Sequence, residues 1–198
     1  TTEIYTLSLH DALPICVNFA QSAFWYAKPG FVSNDEPDIE TVKIPVALKR
    51  TDIYKPEVDS TGKLEGEYLE IVGTSKGEAV PQAGNWGWSN DTQLWWRNAK
   101  TGDELVTKFV LKEGGNYTVS AQLTKAIDYG IIQLFINGKP AGEKFNGYYE
   151  AGVIPFKVDL GKHTLNAGEN SLSIKILGAD KNAKPGNMAG IDFVQFSK

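Results

Sequence analysis

The sequence predicts an all-β protein whose main domain, from about residue 62 to residue 198, is an antiparallel β-sandwich of about eight strands. Aromatic residues make up 11% of the chain, and glycines number 20. Helical periodicity is nearly absent, and turn signals built from Gly, Asn and Asp recur at intervals of roughly 8–15 residues. Short strands separated by such turns are typical of sandwiches with the jelly-roll arrangement.

Eight segments carry the strand signal, which is a run of β-branched and aromatic residues bounded by turns. They are residues 64–72, 92–98, 104–111, 116–124, 129–136, 153–161, 170–177 and 191–196. The segments 104–111 and 116–124, joined by the turn KEGG, are predicted to form a hairpin, and the NGK after residue 136 indicates another. Residues 73–90 and 145–152 are predicted to be loops.

Alternation along the strands predicts which side chains face the core. The expected core positions in 116–124 and 170–177 are Tyr117, Val119, Ala121, Leu123, Leu172, Ile174 and Ile176. In 92–98, Trp96 shares one face with Leu94, whereas Trp95 shares the other with Gln93 and Arg97. We therefore expect Trp96 to be buried and Trp95 to be exposed.

Aromatic and amide side chains are the candidates for ligand binding. A flat aromatic ring can pack against the C–H face of a sugar, and exposed apolar patches often mark binding sites. Amide and phenol groups suit the recognition of hydroxyls. The candidate ligand-binding residues are Trp86, Trp88, Trp95, Asn146, Tyr148 and Tyr149. The alternative for each is a packing role, as a loop residue over the end of the sandwich or as a lid on the core.

The carboxylates of the chain show no catalytic pattern. Glycoside hydrolysis usually needs two carboxylates flanking the scissile bond, and the sequence pairs no two of them in that way. Asp192, inside the last strand segment, is expected to accept hydrogen bonds from neighbouring backbone or hydroxyl groups instead. The sequence also contains no recognisable Ser-His-Asp set, nucleophile elbow or phosphate loop. We therefore assign no catalytic residue, no cofactor and no metal ligands.

Charge and hydropathy argue against two classes of partner. The formal net charge is −4 at pH 7, and the 20 basic residues form no run. This balance disfavours nucleic acid and anionic membrane surfaces as partners. No apolar stretch approaches the roughly 20 residues that are needed to span a bilayer.

Residues 1–15, TTEIYTLSLHDALPI, resemble the translation of a short-read sequencing adapter. Cys16 is then a hybrid codon at the junction, which leaves no cysteine for a metal site or a nucleophile. We expect this segment to take no part in the fold, as for other processing scars. Deleting residues 1–16 should leave the melting temperature unchanged in thermal denaturation, and a drop of several degrees would show that the segment packs natively.

The rest of the chain divides into three parts. Residues 17–26 are interpreted as one strand, residues 27–61 as a proline-containing acidic linker, and residues 62–198 as the sandwich. The segment QSAFWY (21–26) resembles the closing strand of the catalytic jelly roll in glycoside hydrolase family 172, the difructose-dianhydride and furanosidase family.

Three longer segments resemble the C-terminal sandwich attached to many such enzymes, and also galactose-binding-like carbohydrate-binding modules. They are residues 123–139, 158–180 and 188–196. The resemblance implies the C-terminal fragment of a family 172-like protein, whose catalytic glutamates would lie upstream.

The function implied is a non-catalytic carbohydrate-binding or substrate-positioning module. Its partners would be a carbohydrate, in the first place a furanose-containing glycan, and the upstream catalytic domain of the same protein. The resemblance also implies a secreted or periplasmic location in a bacterium. Two alternatives remain: a structural brace for the catalytic domain or the oligomer that binds no sugar, and a chain that is itself a hydrolase.

Overall fold

The computed structural model describes residues 55–198. The predictions for residues 1–16 and 17–26, and most of the predicted linker, lie outside these residues. Eleven strands make up the described part, with two 3₁₀ turns at Gly66–Tyr68 and Ser89–Asp91. The strands are β1 (Lys63–Glu65), β2 (Glu70–Thr74), β3 (Glu78–Ala83), β4 (Thr92–Arg97), β5 (Glu104–Leu111), β6 (Gly115–Lys125), β7 (Gly130–Ile136), β8 (Lys139–Asn146), β9 (Ile154–Leu165), β10 (Gly168–Ala179) and β11 (Ala189–Ser197).

The strands form two sheets that pack face to face. The six-stranded sheet has the order β3-β4-β11-β6-β9, with β1 also paired to β11, and the five-stranded sheet has the order β2-β5-β10-β7-β8. Neighbouring strands within both sheets pair in antiparallel fashion. The predicted all-β antiparallel sandwich of jelly-roll type is confirmed. Within residues 55–198, no helix is long and apolar enough to cross a membrane.

The hairpin predicted for residues 104–111 and 116–124 is wrong, because its two strands belong to different sheets. β5 pairs with β2 and β10, whereas β6 pairs with β9 and β11. The turn between them carries the chain from one sheet to the other. Both strands bury alternate side chains, so each needs a facing sheet rather than a place beside the other.

Three further differences concern strands whose apolar signal is weak. The predicted loop 73–90 contains β3, an edge strand that tolerates Pro81 because one side of it needs no ladder partner. The hairpin predicted at NGK is present, but its second strand, β8, was not among the eight predicted strand segments. The predicted strand 64–72 breaks into β1 and β2 at Gly66, whose backbone lies so close to β11 that an added β-carbon would be 2.0 Å from the Ile191 carbonyl oxygen.

The core lies between the sheets and matches the alternation of the sequence. All seven predicted core residues of β6 and β10 are buried. Trp96 is 0% exposed, as predicted. Aromatic contacts join the sheets, since the Phe109 ring of β5 lies 4.9 Å from the Phe196 ring of β11.

The sandwich begins before the predicted boundary at residue 62. Val58 is part of the hydrophobic core, and its backbone N–H donates to the Val110 carbonyl at 3.0 Å. The Val110 N–H in turn donates to the Pro56 carbonyl at 2.6 Å. A proline can still accept such a bond, which is why its presence in the predicted linker did not keep residues 56–61 out of the domain.

Candidate functional site

Residues 84–91, between β3 and β4, form a compact loop that we call the aromatic loop. Its base is closed by the Gly84 N–H, which donates to the Asp91 carbonyl at 2.8 Å. Gly87, Asn90 and Asp91 have φ angles of 79°, 51° and 49°. Gly, Asn and Asp are the residue types that adopt left-handed backbone conformations most readily. Their positions in GNWGWSND therefore allow the tight turn that carries the two tryptophans.

Trp86 and Trp88 have different environments within this loop. Trp86 is 41% exposed and Trp88 is 5% exposed. Their ring centroids lie 4.8 Å apart with an interplanar angle of 58°. The Trp86 ring rests on Gly84, where an added β-carbon would lie 1.8 Å from the ring. Trp86 can therefore offer a ring face to a ligand, whereas the Trp88 ring packs inside the loop.

The far end of the aromatic loop is tied to the sandwich through Ser89. The Ser89 N–H donates to Asp192 Oδ1 and its hydroxyl donates to Glu65 Oε1, both at 2.8 Å. Lys63 Nζ hydrogen-bonds Ser89 Oγ and lies 2.8 Å from Glu65 Oε1. The predicted structural role of Asp192 is confirmed, since it also accepts from Gln122 Nε2 at 2.8 Å.

Asp192 and Glu67, two carboxyl groups at the place where Ser89 attaches the loop, are buried. We call this attachment the anchor, and burial makes both groups harder to ionise. Burial raises the pKa of Asp192, and hydrogen bonds from Gln122 and Ser89 offset part of that rise. Burial likewise raises the pKa of Glu67 to about 7, with the negative charge of Glu65 adding to it. The attachment of the loop therefore combines a hydrogen-bond network with one carboxyl group, Glu67, whose charge depends on pH near neutrality.

Trp95 lies on the outer face of the six-stranded sheet, as expected, but is half-buried rather than exposed. The Arg97 guanidinium sits 4.9 Å from its ring centroid and pairs with Glu78 at 2.8 Å. Val80 and Gly190 are its neighbours on the adjacent strands. Alternation assigned Trp95 to the correct face, but the stacked arginine covers part of the ring.

Gln93, on the same face, is 0% exposed. Its amide nitrogen donates to the Tyr129 hydroxyl at 2.9 Å and its amide oxygen accepts from Thr124 at 2.5 Å. Burial raises the pKa of the Tyr129 phenol. Local sequence does not predict the burial of Gln93, because Tyr129 contacts it from the loop before β7, 36 positions away.

Asn146, Tyr148 and Tyr149 lie together where β8 ends. The Asn146 amide donates to Asp180 Oδ2 at 2.8 Å and accepts from the Tyr148 N–H at 3.0 Å. Both of its polar atoms are thus engaged in shaping the loop. Tyr148 is half-buried, and burial raises the pKa of its phenol. Tyr149 is 37% exposed, and its ring is the more accessible of the two tyrosine rings.

Phe156 is an exposed aromatic residue that the sequence analysis missed. It is 44% exposed and lies 5.9 Å from the Phe145 ring. The Lys125 ammonium group sits 4.3 Å from the Phe156 ring centroid. Phe156 pairs with Leu123, so alternation alone places it on the core face. It is accessible because it stands near the start of β9, where the sandwich ends.

The exposed aromatic rings lie at one end of the sandwich. The Tyr149 N–H donates to the carbonyl of Ala126, the residue after β6, at 3.0 Å. Phe156 is opposite the last residues of β6, and an added β-carbon on Gly87 would lie 3.9 Å from Pro155. We call the group of Trp86, Tyr149 and Phe156 the aromatic end.

The opposite end of the sandwich holds a cavity of about 450 Å³. Three charged groups in its lining are already engaged, since Lys198 pairs with Glu113 and Asp59 accepts from Thr61 and Lys63. None of the sequence-predicted ligand-binding residues lines this cavity. Across residues 55–198, no group of three or more His, Cys, Asp or Glu side chains is placed to hold a metal ion.

No family of known proteins and no curated protein matches the sequence. Solved structures do match the fold. A Paenibacillus xanthan lyase superposes with a TM-score of 0.62 at 19% identity over 71% of this chain. A family 35 carbohydrate-binding module from an environmental isolate gives a TM-score of 0.46 at 13% identity over 69% of this chain and 92% of its own. The family 35 module of Paenibacillus barcinonensis gives 0.43 at 18% identity, over 69% and 98%.

The chain spans 14% of the length of the xanthan lyase. The similarity thus concerns one domain of that protein, and at 19% identity it establishes a shared fold.

Proposed function

We propose that this sandwich is a non-catalytic carbohydrate-binding or substrate-positioning module of a glycoside-hydrolase-like protein. The observation that carries the proposal is Trp86, whose ring is 41% exposed at an end of the sandwich that also presents Tyr149 and Phe156. An exposed aromatic ring can pack on the C–H face of a sugar and so remove apolar surface of both from water. The fold shared with a domain of a xanthan lyase agrees with this role.

The proposal includes a division of labour among the candidate residues. Trp86 supplies the stacking surface, and Tyr149 adds a ring and a hydroxyl at the same end of the sandwich. Asn146 and Tyr148 shape the loop that carries Tyr149. Trp95, half-buried beneath Arg97, is assigned to the outer face of the sheet and serves as a secondary contact.

The finer identity proposed is that of a family 172-like protein. Its ligand would be a furanose-containing glycan, and the catalytic glutamates would belong to an upstream domain of the same protein. The protein would act outside the cytoplasm, secreted or periplasmic, and would need no cofactor. These assignments rest on the resemblance of residues 21–26, 123–139, 158–180 and 188–196.

Replacing Trp86 with alanine should weaken glycan binding about fivefold or more while leaving stability almost unchanged. The expected loss follows from removing a stacking ring, which contributes about 1–3 kcal/mol in comparable aromatic platforms. The measurement is isothermal titration of wild type and variant against oligosaccharides from arabinan, fructan and xanthan.

Val72→Ala is the matched control, because Val72 is 53% exposed on β2 of the five-stranded sheet, away from the aromatic end. It should bind like the wild type. Equal affinities for wild type and Trp86→Ala would remove Trp86 from the site. A wild type that binds none of the three glycans would favour the structural brace.

A further inference from the structure

The tryptophan indole nitrogens of the sandwich differ in whether they have a partner. Trp96 Nε1 donates to the Lys76 carbonyl at 3.1 Å. Trp88 Nε1 and Trp95 Nε1 are both buried and have no acceptor in the described part of the chain. Trp95 carries Arg97 over its ring on the outer face of the sheet, whereas Trp88, only 5% exposed, lies beside the partly exposed Trp86 ring. Buried N–H groups nearly always find an acceptor, so an unpaired one in a native fold requires an explanation.

The surroundings of Trp88 suggest what the explanation is. Its immediate aromatic neighbour is the Trp86 ring, 4.8 Å away and partly in solvent. That ring packs closely on Gly84, where an added β-carbon would lie 1.8 Å from it. A partly exposed side chain such as Trp86 can change rotamer.

Building on the proposed function, we infer that Trp88 is the hydrogen-bond donor of the glycan site and that Trp86 is the movable ring that covers it. In the free protein the Trp86 ring shields the Trp88 N–H. When a sugar enters, the Trp86 ring turns out and stacks on it, and the Trp88 N–H donates to a sugar hydroxyl or ring oxygen. The donor without a partner in the free protein thereby gains one in the complex.

This arrangement gives the site selectivity that stacking alone lacks. An aromatic ring packs on any apolar face of suitable size, whereas an indole N–H requires an acceptor at one position. A ligand that lacks an oxygen there would leave the donor buried and unpaired. The ligand class is therefore a sugar that presents an oxygen acceptor at the edge of the face stacked on Trp86.

The cover can be tested without ligand through Gly84→Ala. A β-carbon at this position would lie 1.8 Å from the Trp86 ring, so the ring must move in the variant. The movement should cost little stability, because the Trp86 side chain is partly in solvent. Hydrogen exchange of the Trp88 indole N–H, followed by NMR after assignment with Trp88→Phe, should be slow in the wild type and at least tenfold faster in Gly84→Ala. Unchanged exchange would overturn the role of Trp86 as the cover.

The donor is tested with Trp88→Phe, which keeps an apolar ring and removes the N–H. Stability should be equal or slightly higher, because an unpaired donor is lost, and affinity for the panel oligosaccharide bound most tightly should fall about five- to tenfold. Trp96→Phe is the control: it removes a paired donor far inside the core, so it should lower stability and leave affinity unchanged.

The resonance of the Trp88 N–H should also shift downfield when the oligosaccharide is added to the wild type. Wild-type binding that depends on Trp86 but is the same in Trp88→Phe would overturn the inference and leave the proposed function standing. Failure of the wild type to bind any panel glycan would overturn both, even where the exchange data support the cover.

Discussion

Trp96→Ala is expected to lower the free energy of unfolding by about 3–5 kcal/mol, as for other large buried aromatic residues. Trp96 is fully buried between the sheets, and its indole N–H donates to the Lys76 carbonyl. The truncation therefore opens a cavity and also leaves that carbonyl without its donor. Chemical denaturation of the purified protein, with the midpoint and slope compared, measures the loss.

Trp95→Ala is the matched control, since the two residues are adjacent on β4 and point to opposite faces of the sheet. Trp95 is half-buried beneath Arg97, so its removal should cost about 1 kcal/mol, near the centre of the range for point mutations. Equal losses for the two variants, or a larger loss for Trp95→Ala, would contradict the assignment of faces.

Stability is expected to fall by about 3 kcal/mol as the pH rises from about 4.5 to about 7, because of Glu67. Its pKa is raised from its ordinary value of 4.5 to about 7 in the folded protein. A raised pKa means that the folded state binds the proton more tightly than the unfolded state does. The stabilisation is complete below the unfolded pKa and is lost as the pH rises through the folded pKa.

Some of the groups around Glu67 raise its pKa further, and others lower it without cancelling the rise. Glu65 and Asp192 are carboxylates whose charges raise its pKa, while a hydrogen bond from Asn90 lowers it. Asp192, whose pKa is itself raised by burial, adds a loss of the same sign. Lys63 Nζ, 2.8 Å from Glu65 Oε1, is a positive charge that pairs with one of these carboxylates.

The measurement is denaturant unfolding at a series of pH values in a buffer that contains EDTA, so that protons rather than divalent cations titrate the carboxylates. Glu67→Gln should remove most of the decline and be the more stable protein above pH 7. Glu70→Gln, at an exposed position on β2, should keep the wild-type slope. A decline that persists unchanged in Glu67→Gln would assign it to other groups.

Local periodicity sufficed to predict the parts of the fold that it alone determines. The alternation of Tyr117 to Leu123 in β6 and of Leu172 to Ile176 in β10 identified the core faces, because a strand buried on one side repeats every two residues. It failed for β5 and β6, where a short turn joins strands of different sheets. Nothing in the turn KEGG distinguishes a hairpin from a crossing between layers.

The candidate site was predicted by residue type and not by arrangement. Trp86 and Tyr149 were identified because their sequence neighbours are loop residues, and both are exposed. The burial of Trp88 depends on the path of the aromatic loop, and the partial cover of Trp95 depends on the direction of Arg97. The exposure of Phe156 was not predicted, because alternation distinguishes the two faces of a strand and carries no information about where the opposite sheet ends.

The anchor of the aromatic loop has a consequence for the order of assembly during synthesis. Ser89 donates to Asp192, a residue 103 positions further along the chain, while its hydroxyl partner Glu65 lies 24 positions earlier. Contacts of such sequence separation form late, because loop-closure entropy must be met before they stabilise anything. The aromatic loop therefore gains this attachment only when β11 has joined the sheet. A nascent or truncated chain would not yet have the aromatic loop fixed by these hydrogen bonds, so the proposed binding surface would be complete only when the fold is complete.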